Sequence, residues 1–188
     1  MDTEQLIDLL YLLPPSSKAM LRGEAKEITL PKGHILLRSD CIEKHIYFIR
    51  KGVVRAYLDA PDKQITFWFG MEGSPILPMK SYVSDEKNYE SIELLEDCEL
   101  CEFNISSLRM LYKTDIHLAN WGRKLAEQEL IKTEERLIAM QFKTAQERYI
   151  DLINQQPEIL LRVQLGYIAS YLGMSQVSLS RIRAELRS

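Results

Sequence analysis

The sequence predicts an α+β protein in three consecutive parts: a β-rich domain, one long helix and a helix-turn-helix. Three observations carry this. Short segments rich in Ile, Val, Tyr, Phe and Trp, parted by turn residues at roughly ten-residue intervals, fill the chain from Ile28 to about Leu108. A proline-free amphipathic stretch over 115–142 follows. The stretch LGYIASYLGMSQVSLSRIRA, 165–184, then holds a small residue, a glycine and an N-cap where two crossing helices need them.

The first element is helical, because Leu6, Leu9, Leu10 and Leu13 recur at helical spacing until Pro14-Pro15 ends the pattern. Ser16-Ser17 then caps a short second helix through Met20-Leu21. The turns Pro31-Lys32-Gly33, Ser39-Asp40, Arg50-Lys51-Gly52 and Asp59-Ala60-Pro61-Asp62 separate strands over 46–49, 53–58 and 64–69. Strand character returns at 91–95 and 99–105, and an antiparallel sandwich, roll or barrel fits the series. Between them, 71–87 breaks the rhythm with Gly73 and two prolines, and reads as a long ordered insertion of the kind that carries function.

From Ser106 onward the chain reads as helix. At 1.5 Å per residue, the stretch 115–142 gives roughly 40 Å of helix, interrupted only by Gly122. Leu118, Trp121 and Leu125 stand at a/d spacing, and Leu130, Ile131, Leu137 and Ile138 continue two apolar stripes. One stripe covers the helix's own domain and the other a partner helix, so a homodimer with Leu125 in its seam is expected. A single long core helix is the competing reading. A further helix over 144–154 is stopped by Gln155-Gln156-Pro157.

In the helix-turn-helix segment, Ala169 allows close helix crossing and Gly173 tolerates the positive φ of the turn. Ile168, Leu172, Leu179 and Ile182 form the buried face, and Ser175 opens the second helix as its N-cap. Gln176, Ser178, Arg181 and Arg183 then face outward with the groups that read a major groove: Gln for adenine, Arg for guanine, Ser for a base edge or a phosphate. An ordinary helical hairpin asks for the same Ala and Gly. The balance is tipped by charge. Over 162–188, Arg162, Arg181, Arg183 and Arg187 stand against Glu185, a local +3 in a chain of net −3.

With 188 residues, 46% of them hydrophobic and 27% charged, the chain is an ordinary globular protein. No apolar run approaches a membrane span, and Met1-Asp2-Thr3-Glu4 is acidic where a secretion signal is basic. Cys41, Cys98 and Cys101 are too few for a disulfide framework, so a cytoplasmic protein with reduced thiols is expected. Cys98 and Cys101 face opposite sides of a strand, and His34, His45 and His117 are scattered, so no metal site is expected. No nucleophile elbow, P-loop or dinucleotide fingerprint is present, and no enzyme is expected.

The stretches LPKGHILLRSD (30–40), HIYFIRKGVVRAYL (45–58), ESIELLEDCEL (90–100) and RVQLGYIASYLGMSQVSLSRIR (162–183), in this order around a long helix, resemble the Crp/Fnr family of bacterial regulators, relatives of the cyclic-AMP receptor protein. The resemblance implies a cyclic-nucleotide-binding-like β-roll (a double-stranded β-helix) over 1–114, a dimerisation helix over 115–142, and a winged-helix-like helix-turn-helix domain over 143–188. It implies a transcriptional regulator that binds a palindromic double-stranded DNA operator as a homodimer, with RNA polymerase as a further partner. Gln176, Val177 and Arg181 take the three main base-edge positions. The middle one is commonly Glu in the family, whereas Val177 suits a thymine methyl.

The resemblance also implies a phosphate cassette, Gly-Glu-Leu followed by Arg-Ser/Thr-Ala. The matching turn here is Gly73-Ser74-Pro75, which lacks the Glu, and no Arg lies between Phe69 and Leu108. That interval holds nine acids (72, 85, 86, 90, 93, 96, 97, 99, 102) against Lys80 and Lys87, a net −7. The expectation is a retained roll that has lost cyclic-nucleotide binding and takes no cofactor, with Arg50, Arg55 and Arg123 as the arginines that could still reach in. The competing function is a β-roll sensing or scaffold protein without sequence-specific DNA binding.

Overall fold

A computed structural model describes residues 1–186, so Arg187, counted above in the basic tail, lies outside the described residues. The elements in order are α1 (Thr3–Asp8), α2 (Pro15–Gly23), β1 (Lys26–Leu30), β2 (Ile35–Leu37), β3 (His45–Lys51), β4 (Val54–Ala60), β5 (Lys63–Gly70), β6 (Pro75–Ile76), α3 (Met79–Ser84), β7 (Ser91–Leu94), β8 (Cys98–Asn104), α4 (Ile105–Thr114), α5 (Ile116–Phe142), α6 (Ala145–Gln155), α7 (Ile159–Arg162), α8 (Leu165–Tyr171) and α9 (Gln176–Glu185).

The strands form two four-stranded antiparallel sheets, β1-β8-β3-β6 and β2-β7-β4-β5. Alternation along β3 explains how they stack. Tyr47 and Ile49 join Val54, Ile92 and Leu100 inside the roll, while Ile46 and Phe48 point outward to Phe103, Trp121 and the N-terminal helices. Along β8, Cys98 lies in the inner core and Cys101 in the outer one, on opposite faces as expected. Burial pushes the Cys98 thiol up to about 11 and raises that of Cys101, so both behave as packing groups. Gly52, at φ 113°, is required: a Cβ there would stand 2.4 Å from Cys98 Sγ.

The first turns of α5 belong to the roll. Leu118, Trp121 and Leu125 are fully buried in the outer core, and Trp121 Nε1 donates to the Ile7 carbonyl at 2.9 Å. Leu125 therefore cannot sit in a seam with a second chain. The outward stripe begins at Leu130 and Ile131 and continues through Leu137 and Ile138, all more than half exposed.

Other expectations are corrected. The first helix ends at Asp8, well before Pro14. α2 starts on Pro15 without a side-chain cap, and Ser17 instead donates to Asp115, the carboxylate that caps α5 through the His117 and Leu118 amides. The insertion at 71–87 contains β6 and α3. Between α6 and α8 the chain spends its few residues on the single helical turn α7, and no strand follows β8 among the described residues, so nothing there forms a wing.

Candidate nucleic-acid interface and roll cavity

The turn between α8 and α9 closes by the bonding pattern that a left-handed residue permits. Met174 N donates to the Ala169 carbonyl at 3.0 Å and Gly173 N to Ser170 at 3.1 Å, with Gly173 at φ 69°. Ser175 caps α9 by accepting from Ser178 N at 3.1 Å. Ile168, Ala169, Leu172 and Leu179 are buried, and Ile182 is half-buried against them. Of the residues singled out in the sequence, Ser175, Gln176, Val177, Ser178 and Arg181 are exposed together at the start and along the outer side of α9. Arg183 is half-buried.

Spacing along the chain gave no hint of what holds this unit. Arg136, on α5, donates to the Tyr171 carbonyl at 2.7 Å and lies 3.8 Å from the centre of the Tyr171 ring. Arg148, on α6, donates twice to the Leu172 carbonyl, at 3.1 and 2.8 Å. Two cations thus take the carbonyls that the end of α8 leaves open. The roll grips the other side. Thr66 N on β5 donates to Ser170 Oγ at 2.9 Å, Phe69 packs on Tyr171, and the Arg55 guanidinium lies 3.8 Å from the Tyr167 ring centre.

Arg162 changes role. Counted above as part of a basic tail, it forks onto Glu72 with two bonds of 2.8 Å and onto Glu96 at 2.6–3.2 Å. Its hydrogen bonds to Glu72 and Glu96 raise its own pKa, and the same bonds hold the Glu72 carboxyl down at about 2. Arg162 is therefore spent on joining the helical domain to the roll.

The acidic interval is largely spent as well. Glu93 pairs with Arg55 at 2.7 Å, Asp85 with Arg109 at 2.8 Å, and Glu102 with Lys26 at 3.5 Å. Asp97 accepts from Lys32 N at 2.8 Å. A net count of −7 consequently overstates the field at any one point. The candidate arginines are occupied too. Arg50 pairs with Glu27, Arg123 with Glu127, and Arg55, only 3% exposed, bonds to Glu93, Gln64 and Thr66.

A cavity of about 130 Å³ opens between the roll and the middle of α5. Phe67, Trp68, Tyr89, Glu90, Glu129 and Thr133 are among its lining residues. Gly73 and Ser74 are not: they make the turn into β6, where Gly73 N donates to Ile49 and Ile49 N to Ser74. The turn expected to carry the degenerate cassette, Gly73-Ser74-Pro75, thus meets the cavity only through Pro75. From Pro75 the chain continues along the cavity through Leu77 and Met79. Glu90 was one acid among nine in the sequence, yet it stands just before β7 at the i, i+2, i+4 spacing of the buried Ile92 and Leu94. That alternation is the signal that marks it as inward-facing.

Residues 27–115 match the family model of the cyclic nucleotide-binding domain. The roll is thus similar in sequence to cyclic nucleotide-binding domains. No curated protein matches the sequence. Among solved structures, FixK2 from Bradyrhizobium japonicum is similar at 21% identity and a TM-score of 0.77, over 87% of this chain and 84% of that one. A protein described as a transcriptional regulator of the Crp/Fnr family, from Eubacterium rectale, is similar at 16% identity and a TM-score of 0.73, over 93% and 84%. The c-di-GMP responsive global regulator CLP of Xanthomonas campestris is similar at 16% identity and 0.69, over 93% and 92%. The chain therefore has the fold of Crp/Fnr regulators across nearly its whole length. Among the described residues no helix is long and apolar enough to cross a membrane.

Proposed function

We propose that this protein is a transcriptional regulator that binds double-stranded DNA as a homodimer and is no enzyme. The observation that carries the reading is the free outer side of α9, where Gln176, Val177, Ser178 and Arg181 stand exposed on a helix seated by Leu179. A helix so presented enters a major groove with its first residues at the base edges. Gln176 then pairs with adenine, Val177 meets a thymine methyl and Arg181 forks onto guanine. The Ser175 and Ser178 hydroxyls and Arg183 serve the phosphates that flank them.

The stripe of Leu130, Ile131, Leu137 and Ile138 on α5 is the surface for the second copy. A two-fold dimer asks for a palindromic operator with half-sites about 34 Å apart. RNA polymerase is the partner beside it on a promoter, and the cytoplasm is the compartment. Cyclic AMP is not the signal: no Arg or Lys is among the residues lining the cavity, and a cyclic phosphate needs a cationic fork.

Mobility shift with fragments of the protein's own promoter, at two salt concentrations, tests the reading. A discrete complex that resists random competitor DNA is expected, weakening with salt as phosphate contacts require. Equal affinity for every sequence, or no complex, would favour the sensing or scaffold function. Calorimetric titration with cyclic AMP is expected to show no heat of binding at micromolar concentration.

A further inference from the structure

Glu90 is the chemical oddity of the roll. It is 4% exposed, its Oε2 has no hydrogen-bond partner, and burial raises its pKa. An unsatisfied buried acceptor costs free energy that a ligand donor would recover. Its surroundings narrow what that donor can be. Phe67, Trp68 and Tyr89 give the cavity an aromatic lining, with the Phe67 and Tyr89 ring centres 6.4 Å apart. A second carboxylate, Glu129, also lines the cavity and is tied to Lys132 at 2.6 Å. Lys80 is exposed, stands 6.0 Å from the Tyr89 ring centre, and is not among the lining residues.

Size narrows it further. At about 130 Å³ the cavity is close to the roughly 150 Å³ void that takes up benzene in an engineered protein. That is room for a ring and a short arm.

We propose that the roll cavity binds a small organic cation, an amine carried on a ring or a short branched apolar body, with Glu90 as its counter-ion. The ammonium donates to Glu90 Oε2, and the apolar body packs among Phe67, Trp68 and Tyr89, whose rings also favour a nearby cation. An anionic ligand would meet two carboxylates and no cationic side chain among the lining residues. The site does not rest on the DNA reading and is tested without DNA.

The test titrates the full chain with 2-phenylethylamine, following tryptophan fluorescence and heat, beside phenylacetate as the anionic counterpart of similar size. Saturable binding of the amine at one site per chain is expected, with phenylacetate at least about tenfold weaker. Glu90→Gln keeps the shape and removes the charge. It should weaken the amine about tenfold to a hundredfold, the range of a charge-assisted hydrogen bond, without weakening phenylacetate. A melting temperature at or above that of the parent shows that the variant is folded. Should it unfold, Glu90→Asp, which withdraws the carboxylate by one methylene, should weaken the amine in the same direction. The proposal is overturned if phenylacetate binds as tightly as the amine, or if the folded variant binds the amine unchanged. It is equally overturned if 2-phenylethylamine, benzylamine and cyclohexylamine all fail to saturate at millimolar concentration.

Discussion

Replacing Glu72 with Gln removes one arm of the fork by which Arg162 joins the helical domain to the roll. The side chain keeps its shape, and its remaining oxygen can still accept from Gly52 N, a bond of 2.8 Å in the native protein. Arg162 holds the Glu72 carboxyl at about 2, against an ordinary value of 4.5. At 1.36 kcal/mol per unit, a gap of about 2.5 units sets a ceiling of about 3 kcal/mol. The Glu72 side chain is 31% exposed, so screening reduces this to about 1–2 kcal/mol.

The sign follows from the direction of the shift. A carboxyl whose folded pKa is depressed stabilises the fold above its unfolded pKa, and that stability is lost as pH falls through the folded value. Glu72→Gln should therefore cost about 1–2 kcal/mol in urea unfolding at pH 7, with the deficit narrowing below about pH 4.5 and vanishing near pH 2. A deficit of the same size at pH 7 and pH 3 would refute the electrostatic account. So would a cost at pH 7 below about 0.3 kcal/mol, the level of an ordinary exposed pair.

Arg181→Ala should cost about 1–3 kcal/mol on the operator, while an equal loss on all DNA sequences would limit Arg181 to phosphate. Gly173→Ala forces a side chain into φ 69° and sets its Cβ 3.1 Å from Met140 Cε, so a loss of about 1–2 kcal/mol in thermal unfolding is expected. Ile131→Asp should yield a folded monomer in sedimentation, whereas Leu125→Asp, wholly buried in its own roll, should unfold the chain. A folded monomer from Leu125→Asp would return the seam to that position.

The strands that the sequence disclosed are those with two buried faces or clean alternation. β3 carries Ile46 and Phe48 to one core and Tyr47 and Ile49 to the other, and its run of apolar residues is unmistakable. β1 begins Lys26-Glu27 and β6 is Pro75-Ile76, so neither offers enough periodic signal. The helix-turn-helix was legible because its requirements are local: one small residue, one glycine, one cap. The roles of Arg136, Arg148 and Arg162 were not, because each bonds a group 24 to 90 positions away along the chain. A charge sum assigns such residues to solvent or DNA, and only the fold reveals their partners. α5 shows the same limit within one helix. Its apolar residues were read as seam and core together, but which side each takes depends on where the roll ends along it.

Two elements carry both halves of the molecule. On β5, Phe67 and Trp68 line the cavity while Thr66 bonds α8. On α5, Glu129 and Thr133 line the same cavity, and Arg136, less than one turn beyond Thr133, holds the Tyr171 carbonyl. The exposed apolar stripe of Leu130, Ile131 and Leu137 lies among these residues. A change in the cavity that moves Trp68 or Glu129 is therefore met first by the groups that orient the helix-turn-helix, without any relay through the roll's core. Contiguity of this kind is a route and not yet a coupling. A coupling exists only as a factor by which a cavity ligand changes DNA affinity, and by linkage DNA must change the ligand's affinity by the same factor.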